Sequence, residues 1–273
     1  MRRRATGTVA SRRRGRAVMA LGLAAVLVPL AVAVGQERAR GGANLGFDPS
    51  GYQRFNTEYS GNFVFVRLMY RTDPWEAYRN PGWAHDYPVA ERNFAKILDA
   101  LTTMTPWQGG SNVLAFDDPE LFKFPIAYLS EPGYWRLSPE EAASLRAYLL
   151  KGGFLIIDDM IGTRQLRNAV DMLGLALPDH HVVPLDATQP VFDSFFHLEE
   201  EDIRIPHPYR RAIAQYFGIY EDDDPSGRLM VVINHDNDIG DYMEWSDTGF
   251  LPIQLSNEAY KLGVNYVVYA LTH

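Results

Sequence analysis

Short apolar runs alternate with amphipathic stretches along most of the chain. Residues 63–70 (Phe63, Val64, Phe65, Val66, Arg67, Leu68, Met69, Tyr70) are almost continuously apolar or aromatic, as expected of a strand covered on both faces. A loop carrying Trp75, Tyr78 and Trp83 follows. Pro88 then opens a helix, with Asp86 near its N-terminus where negative charge suits the helix dipole. Phe94, Ile97, Leu98 and Leu101 recur at i, i+3, i+4 and i+7 and predict one buried stripe. Residues 113–116 predict a short strand running into Asp117 and Asp118, and residues 124–129 another.

Ser138, Pro139, Glu140 and Glu141 read as a helix start: a capping side chain, proline in the first turn, then acids. Leu145, Tyr148 and Leu149 continue that helix, and Gly152 and Gly153 end it. Residues 154–157 (Phe, Leu, Ile, Ile) form a buried strand that stops at Asp158 and Asp159. A helix over 164–173 follows, then a less regular stretch over 178–218 and a solvated acidic turn over 221–228. Residues 229–233 predict another buried strand, ending in Asn234, His235, Asp236, Asn237 and Asp238. The last helix begins near Ser256 and buries Tyr260, Val264, Val267, Val268 and Leu271. Helix, glycine pair, apolar strand and polar strand end is the rhythm of a parallel α/β sheet. The expected fold is α/β: one domain with a doubly wound, mostly parallel sheet.

The first 35 residues stand apart. They hold seven arginines and no acid, and residues 17–34 are eighteen positions without a charge. Ala31-Val32-Ala33 and Ala33-Val34-Gly35 have the small-residue spacing of a signal-peptidase site. Residues 1–35 are therefore expected to be a cleaved signal segment, with an uncleaved anchor as the alternative, since eighteen apolar residues just span a bilayer. Ser11-Arg12-Arg13 hints at a twin-arginine signal, but Gly15 and Arg16 stand where apolar residues belong. Residues 36–61, rich in Gly, Arg, Asn and Ser, read as a flexible tether, and residues 62–273 as the domain. Without residues 1–35 the formal charge falls from −8 to −15. A body this acidic is repelled by nucleic acid. Export to the periplasm or cell envelope is expected, with membrane contact only through an uncleaved N-terminal segment.

The chain has no cysteine. Thiol catalysis and Cys-ligated zinc are thereby excluded. His85, His180, His181, His197, His207, His235 and His273 form no HExxH or HxH pair, which argues against a zinc hydrolase. Gly-x-Ser-x-Gly, Gly-x-Gly-x-x-Gly and the P-loop are absent, so neither a serine elbow nor a nucleotide cradle is expected. What remains is acid at the carboxyl ends of strands, where ligands bind in open parallel sheets. Ligand-binding candidates are Asp117, Asp118, Asp158, Asp159, Asp236, Asn237 and Asp238, with Trp83 as an aromatic neighbour. Asp158, Asp236 and Asp238 can hold a hard cation, Ca or Mg, through oxygen. Asp158, Asp159 and His235 are the catalytic candidates, His235 as a general base. Strand-end acids also cap helices and shape turns, and that reading stands beside the functional one for each pair. Asp236-Asn237-Asp238-Ile239-Gly240-Asp241 fails the EF-hand pattern, with Gly240 and Asp241 in the wrong places.

Together these stretches resemble a bacterial family known as domain of unknown function 4159. The resemblance rests on residues 63–68; on Trp83, Asp86, Tyr87, Pro88, Glu91 and Phe94; and on residues 145–149, 151–155, Asp158 and Asp159. It continues in residues 236–240, 260–265 and 269–272. It implies a fold similar to class I glutamine amidotransferases, a flavodoxin-like sheet, and implies no activity. Those amidotransferases use a nucleophilic cysteine that this chain lacks, so glutaminase activity is not expected. Gln189-Pro190-Val191-Phe192 also departs from the His-Pro of related chains. The expectation is a non-catalytic module of the cell envelope that binds a ligand or protein or serves in assembly. Its partner is an envelope protein, a small molecule or a glycan. The alternative is a hydrolase acting on envelope or carbohydrate substrates through the acidic rim.

Overall fold

The computed structural model describes residues 50–72 and 81–273. The proposed signal segment, the first part of the tether, and Trp75 and Tyr78 lie outside the described residues. Seven strands form one mixed sheet in the order β3-β1-β4-β6-β9-β8-β7. These are β1 (Val66–Met69), β3 (Asn112–Ala115), β4 (Ile126–Ser130), β6 (Phe154–Asp158), β7 (Val183–Leu185), β8 (Gln215–Tyr220) and β9 (Leu229–His235). The first five in that order run parallel; β8 is antiparallel to β9, and β7 to β8. A separate two-stranded ribbon pairs β2 (Arg71–Thr72) with β5 (Trp135–Arg136).

Alternation along the strands feeds two cores. Ala127, Leu129, Leu155, Ile157, Val231 and Ile233 face one layer, with α3 (Pro139–Leu150) and α4 (Gly162–Ala176). Ile126, Tyr128, Phe154, Ile156 and Val232 face the other, with α2 (Val89–Leu101), α6 (Ile239–Glu244) and α7 (Ile253–Thr272). The sheet is thus covered on both faces, which is why its central strands carry few polar residues.

The predicted start of α3 is present as a capping box: Ser138 Oγ accepts from the Glu141 amide, and Glu141 accepts from the Ser138 amide. Other expectations shift. Leu101 and Leu271, predicted to be buried, are exposed, because each lies in the last turn of its helix beyond the sheet. The irregular stretch over 178–218 contains β7, a short helix α5 (Glu200–Ile203) and the start of β8. Part of the expected tether is fixed to the domain. Helix α1 (Ser50–Gln53) sets Tyr52 edge-on against Trp83, and Asn56 and Thr57 bond to Val113 and Asn112.

β1 lies between β3 and β4, so the chain leaves it in one direction along the sheet and returns on the other side. That reversal opens a crevice outside the carboxyl ends of β1 and β4, the place where ligands bind in such sheets.

Candidate functional site

The residue just after each of three central strands, β4, β6 and β9, is an acid in the left-handed backbone region: Glu131 (φ 48), Asp159 (φ 57) and Asp236 (φ 55). Asp86, ahead of α2, is a fourth (φ 64). Non-glycine residues rarely adopt this conformation, and clusters of it mark functional sites. Here it turns the chain sharply off each strand. Gly82 and Gly240 allow the close packing this needs. A Cβ on Gly240 would run into the Asp86 carboxyl and the Tyr128 hydroxyl, and one on Gly82 into Glu131 and Tyr70.

Three groups of side chains converge at this end of the sheet. His85, Glu131 and Asp159 form the first; Asp159, His207 and Asp238 the second; Asp86, Asp241 and Glu244 the third. Within each, one nitrogen or oxygen per residue lies within 4.8 Å of the others. His85 Nδ1 sits 2.9 Å from Glu131 Oε1 and 3.8 Å from Asp159 Oδ2. Asp238 Oδ1 accepts the Asp241 amide at 2.8 Å and caps α6. Asp241 Oδ1 accepts from the Tyr209 hydroxyl and the Trp245 indole.

Charge is poorly balanced in this crevice. Burial, then the Asp241 and Asp159 charges, push the Asp86 carboxyl well up. Burial, then Asp159 and Asp241, do the same to Asp238. Burial raises Asp159 to about 7 against the pull of His85, and burial and Asp241 raise Glu244 to about 7. Burial alone would lower His85, but the Asp159 and Glu131 carboxylates outweigh it and lift the imidazole to about 11. The nearby Arg67 is already committed: it is fully buried, its Nε is 2.5 Å from Glu91, and its Nη1–H reaches the Trp83 carbonyl. Asp86 Oδ2 is enclosed and makes no hydrogen bond.

The acids singled out from the sequence divide. Asp159 and Asp238 belong to the convergent groups. Asp158 does not. It has no exposed surface, and its carboxylate accepts from the Tyr128 hydroxyl (2.7 Å), the Asn234 amide (3.0 Å) and the Gly240 backbone (3.0 Å). Asp236 accepts the Gly162 amide at 2.8 Å and so holds the start of α4. Asn237 accepts the Asp238 amide. Of the trio Asp158, Asp236 and Asp238 expected to hold a cation, Asp238 alone belongs to a convergent group, while Asp158 and Asp236 accept hydrogen bonds from Asn234 and Gly162.

Asp117 is exposed and Asp118 caps the turn over Pro119–Lys123, both beyond edge strand β3 and outside the three groups. Trp83 is completely buried, so it offers no face to a ligand. His235 is also buried, with Nε2 3.5 Å from Asp236 Oδ1, and belongs to none of the groups. Sequence reasoning did not assign His85, Asp86, Glu131, His207, Asp241 or Glu244 to the site. For Glu131 the signal existed, since it ends a predicted strand as Asp159 does.

At the opposite end of the sheet a cleft of about 280 Å³ runs past Tyr59, Asn62, Thr103 and Leu271 and has no carboxylate or imidazole in its wall. The convergent groups therefore make the carboxyl rim the candidate site. A family model described as Domain of unknown function (DUF4159) matches residues 64–271. The chain belongs to this family. The matched span runs from just before β1 into the last turn of α7, so every rim residue named here lies within the DUF4159 domain. No curated protein matches the chain.

Proposed function

We propose that this DUF4159 domain is an exported binding module of the bacterial cell envelope whose carboxyl rim holds a cationic ligand, a divalent metal ion above all. The observation that carries this reading is the convergence of Asp86, Asp159, Asp238, Asp241 and Glu244 at one end of the sheet, with His85 3.8 Å from Asp159. Carboxylates crowded in a buried crevice repel one another unless protonated or neutralised, and a bound cation removes that penalty. The parallel strands β3-β1-β4-β6-β9, numbered among themselves, follow the order 2-1-3-4-5. This supports a flavodoxin-like sheet with its ligand at the switch point. Export is supported by the arginine block and uncharged run at the N-terminus. Among the described residues no helix is long and apolar enough to cross a membrane. The absence of cysteine supports a domain without glutaminase chemistry.

A second reading, hydrolysis of an envelope or carbohydrate substrate, draws on Asp159 and Glu244. Both are held near 7, where a carboxyl can act as acid or base at neutral pH. Thermal melting of chelator-treated protein with added Ca²⁺, Mg²⁺, Mn²⁺ or Zn²⁺ tests the cation. An ion at a hundred times its Kd adds about 2.7 kcal/mol, roughly 5–10 °C for a domain of this size. If no cation moves the melting temperature beyond the chelator control, the reading is wrong.

A further inference from the structure

We infer that the crevice takes two divalent cations sharing the Asp159 carboxylate, one held with His85 and Glu131 and the other with His207 and Asp238. This rests on the cation-binding reading above and adds the number of ions and their place. Each set offers one imidazole and two carboxylates, and Asp159 belongs to both. The five residues come from five separate segments: the turn before α2, the ends of β4 and β6, the loop before β8, and the start of α6. Chains of local sequence do not gather such a set; the sheet topology does.

His207 brings the second imidazole to the set. It is only 9% exposed, yet of its two ring nitrogens only Nδ1 is engaged, by the Tyr209 amide at 3.2 Å. Nε2 makes no hydrogen bond among the described residues. With Nδ1 accepting from the Tyr209 amide, the neutral ring carries its proton on Nε2; an ion takes Nε2 as that proton passes to Nδ1 and the Tyr209 bond is given up. The donors also narrow the ion. Mixed imidazole and carboxylate sets suit Mn²⁺, Zn²⁺ or Fe²⁺, whereas Ca²⁺ and Mg²⁺ prefer oxygen alone. A carboxylate shared by two ions fits a two-metal centre, in which the ions sit about 3.5–4 Å apart. Asp86, Asp241 and Glu244 form the third group alongside it.

Mn²⁺ alone serves as the probe, added to the metal-free full chain. Equilibrium dialysis counts the ions, and low-temperature electron paramagnetic resonance reports whether they are coupled. Two Mn²⁺ per chain with an exchange-coupled spectrum are expected. Asp159→Asn should drop the count to one or none and abolish the coupling, while Asp117→Asn, beyond the edge strand, keeps both. Should Asp159→Asn fail to fold, by circular dichroism, His207→Gln replaces it and should lose one ion and the coupling. One ion per chain, or two uncoupled ions that survive Asp159→Asn, overturns the shared-carboxylate site but leaves the cation reading standing. No bound Mn²⁺, with no shift by any other divalent ion, overturns both.

Discussion

One peptide bond separates Asp158 from Asp159, and the two carboxylates meet opposite surroundings. Asp158 ends the alternation of β6 and points among donors: Tyr128, Asn234 and Gly240 all give it a hydrogen bond. Asp159 follows in the left-handed region and faces His85 and other acids. Their neutral variants should therefore differ in sign. Asp158→Asn replaces an acceptor by an amide that leaves buried donors unmatched, and should cost about 1–3 kcal/mol in urea unfolding. Asp159→Asn removes a charge whose ionised form is less favoured in the folded protein than in the unfolded chain. A folded-state value raised to about 7 means the ionised carboxyl costs stability above that pH. In chelator at pH 8, Asp159→Asn should be at least as stable as the parent. Equal destabilisation by both variants would contradict this division. The sequence points to the acid pair but not to which member faces the crevice. Alternation along a strand predicts direction only while the strand lasts, and Asp159 stands one residue past it.

Among the elements, β1 and α2 are joined by a buried ion pair that the hydrophobic pattern disguised. Arg67 interrupts the apolar run of residues 63–70. In the fold it is interior, paired with Glu91 and set over the Tyr128 ring at 5.0 Å. Arg67→Met should destabilise the domain by about 3–5 kcal/mol, because Glu91 is left charged and uncompensated in the core. Adding Glu91→Leu should recover most of that loss, since the apolar pair carries no desolvation cost. Chemical unfolding of both variants checks this; a double variant no better than the single one would show that packing, not charge, dominates. The strong elements were readable where local chemistry sets them: the capping box of α3, the glycine pair after it, and the apolar cores of β6 and β9. Strand β8 was not, because Gly218 breaks its apolar pattern, although the acidic turn over 221–228 joins it directly to its antiparallel partner β9.

At the scale of the whole molecule, the fold class was legible and the site only in part. Repeated apolar strands ending in acids imply a parallel sheet with an acidic rim, and that rim is present. His85 and His207 escaped because nothing local marks them, and Glu131 although it follows a predicted strand; the three join Asp159 only through the tertiary fold, which sets β4 beside β6. This meeting point is where we propose that a divalent cation binds. Crystals of the full chain soaked in Mn²⁺ and measured for anomalous scattering test it most directly. An anomalous peak is expected within coordinating distance of the Asp159 carboxylate, flanked by His85 and Glu131 or by His207 and Asp238. A well-ordered crevice with no peak there, or with manganese only at exposed acids such as Asp117, would contradict it.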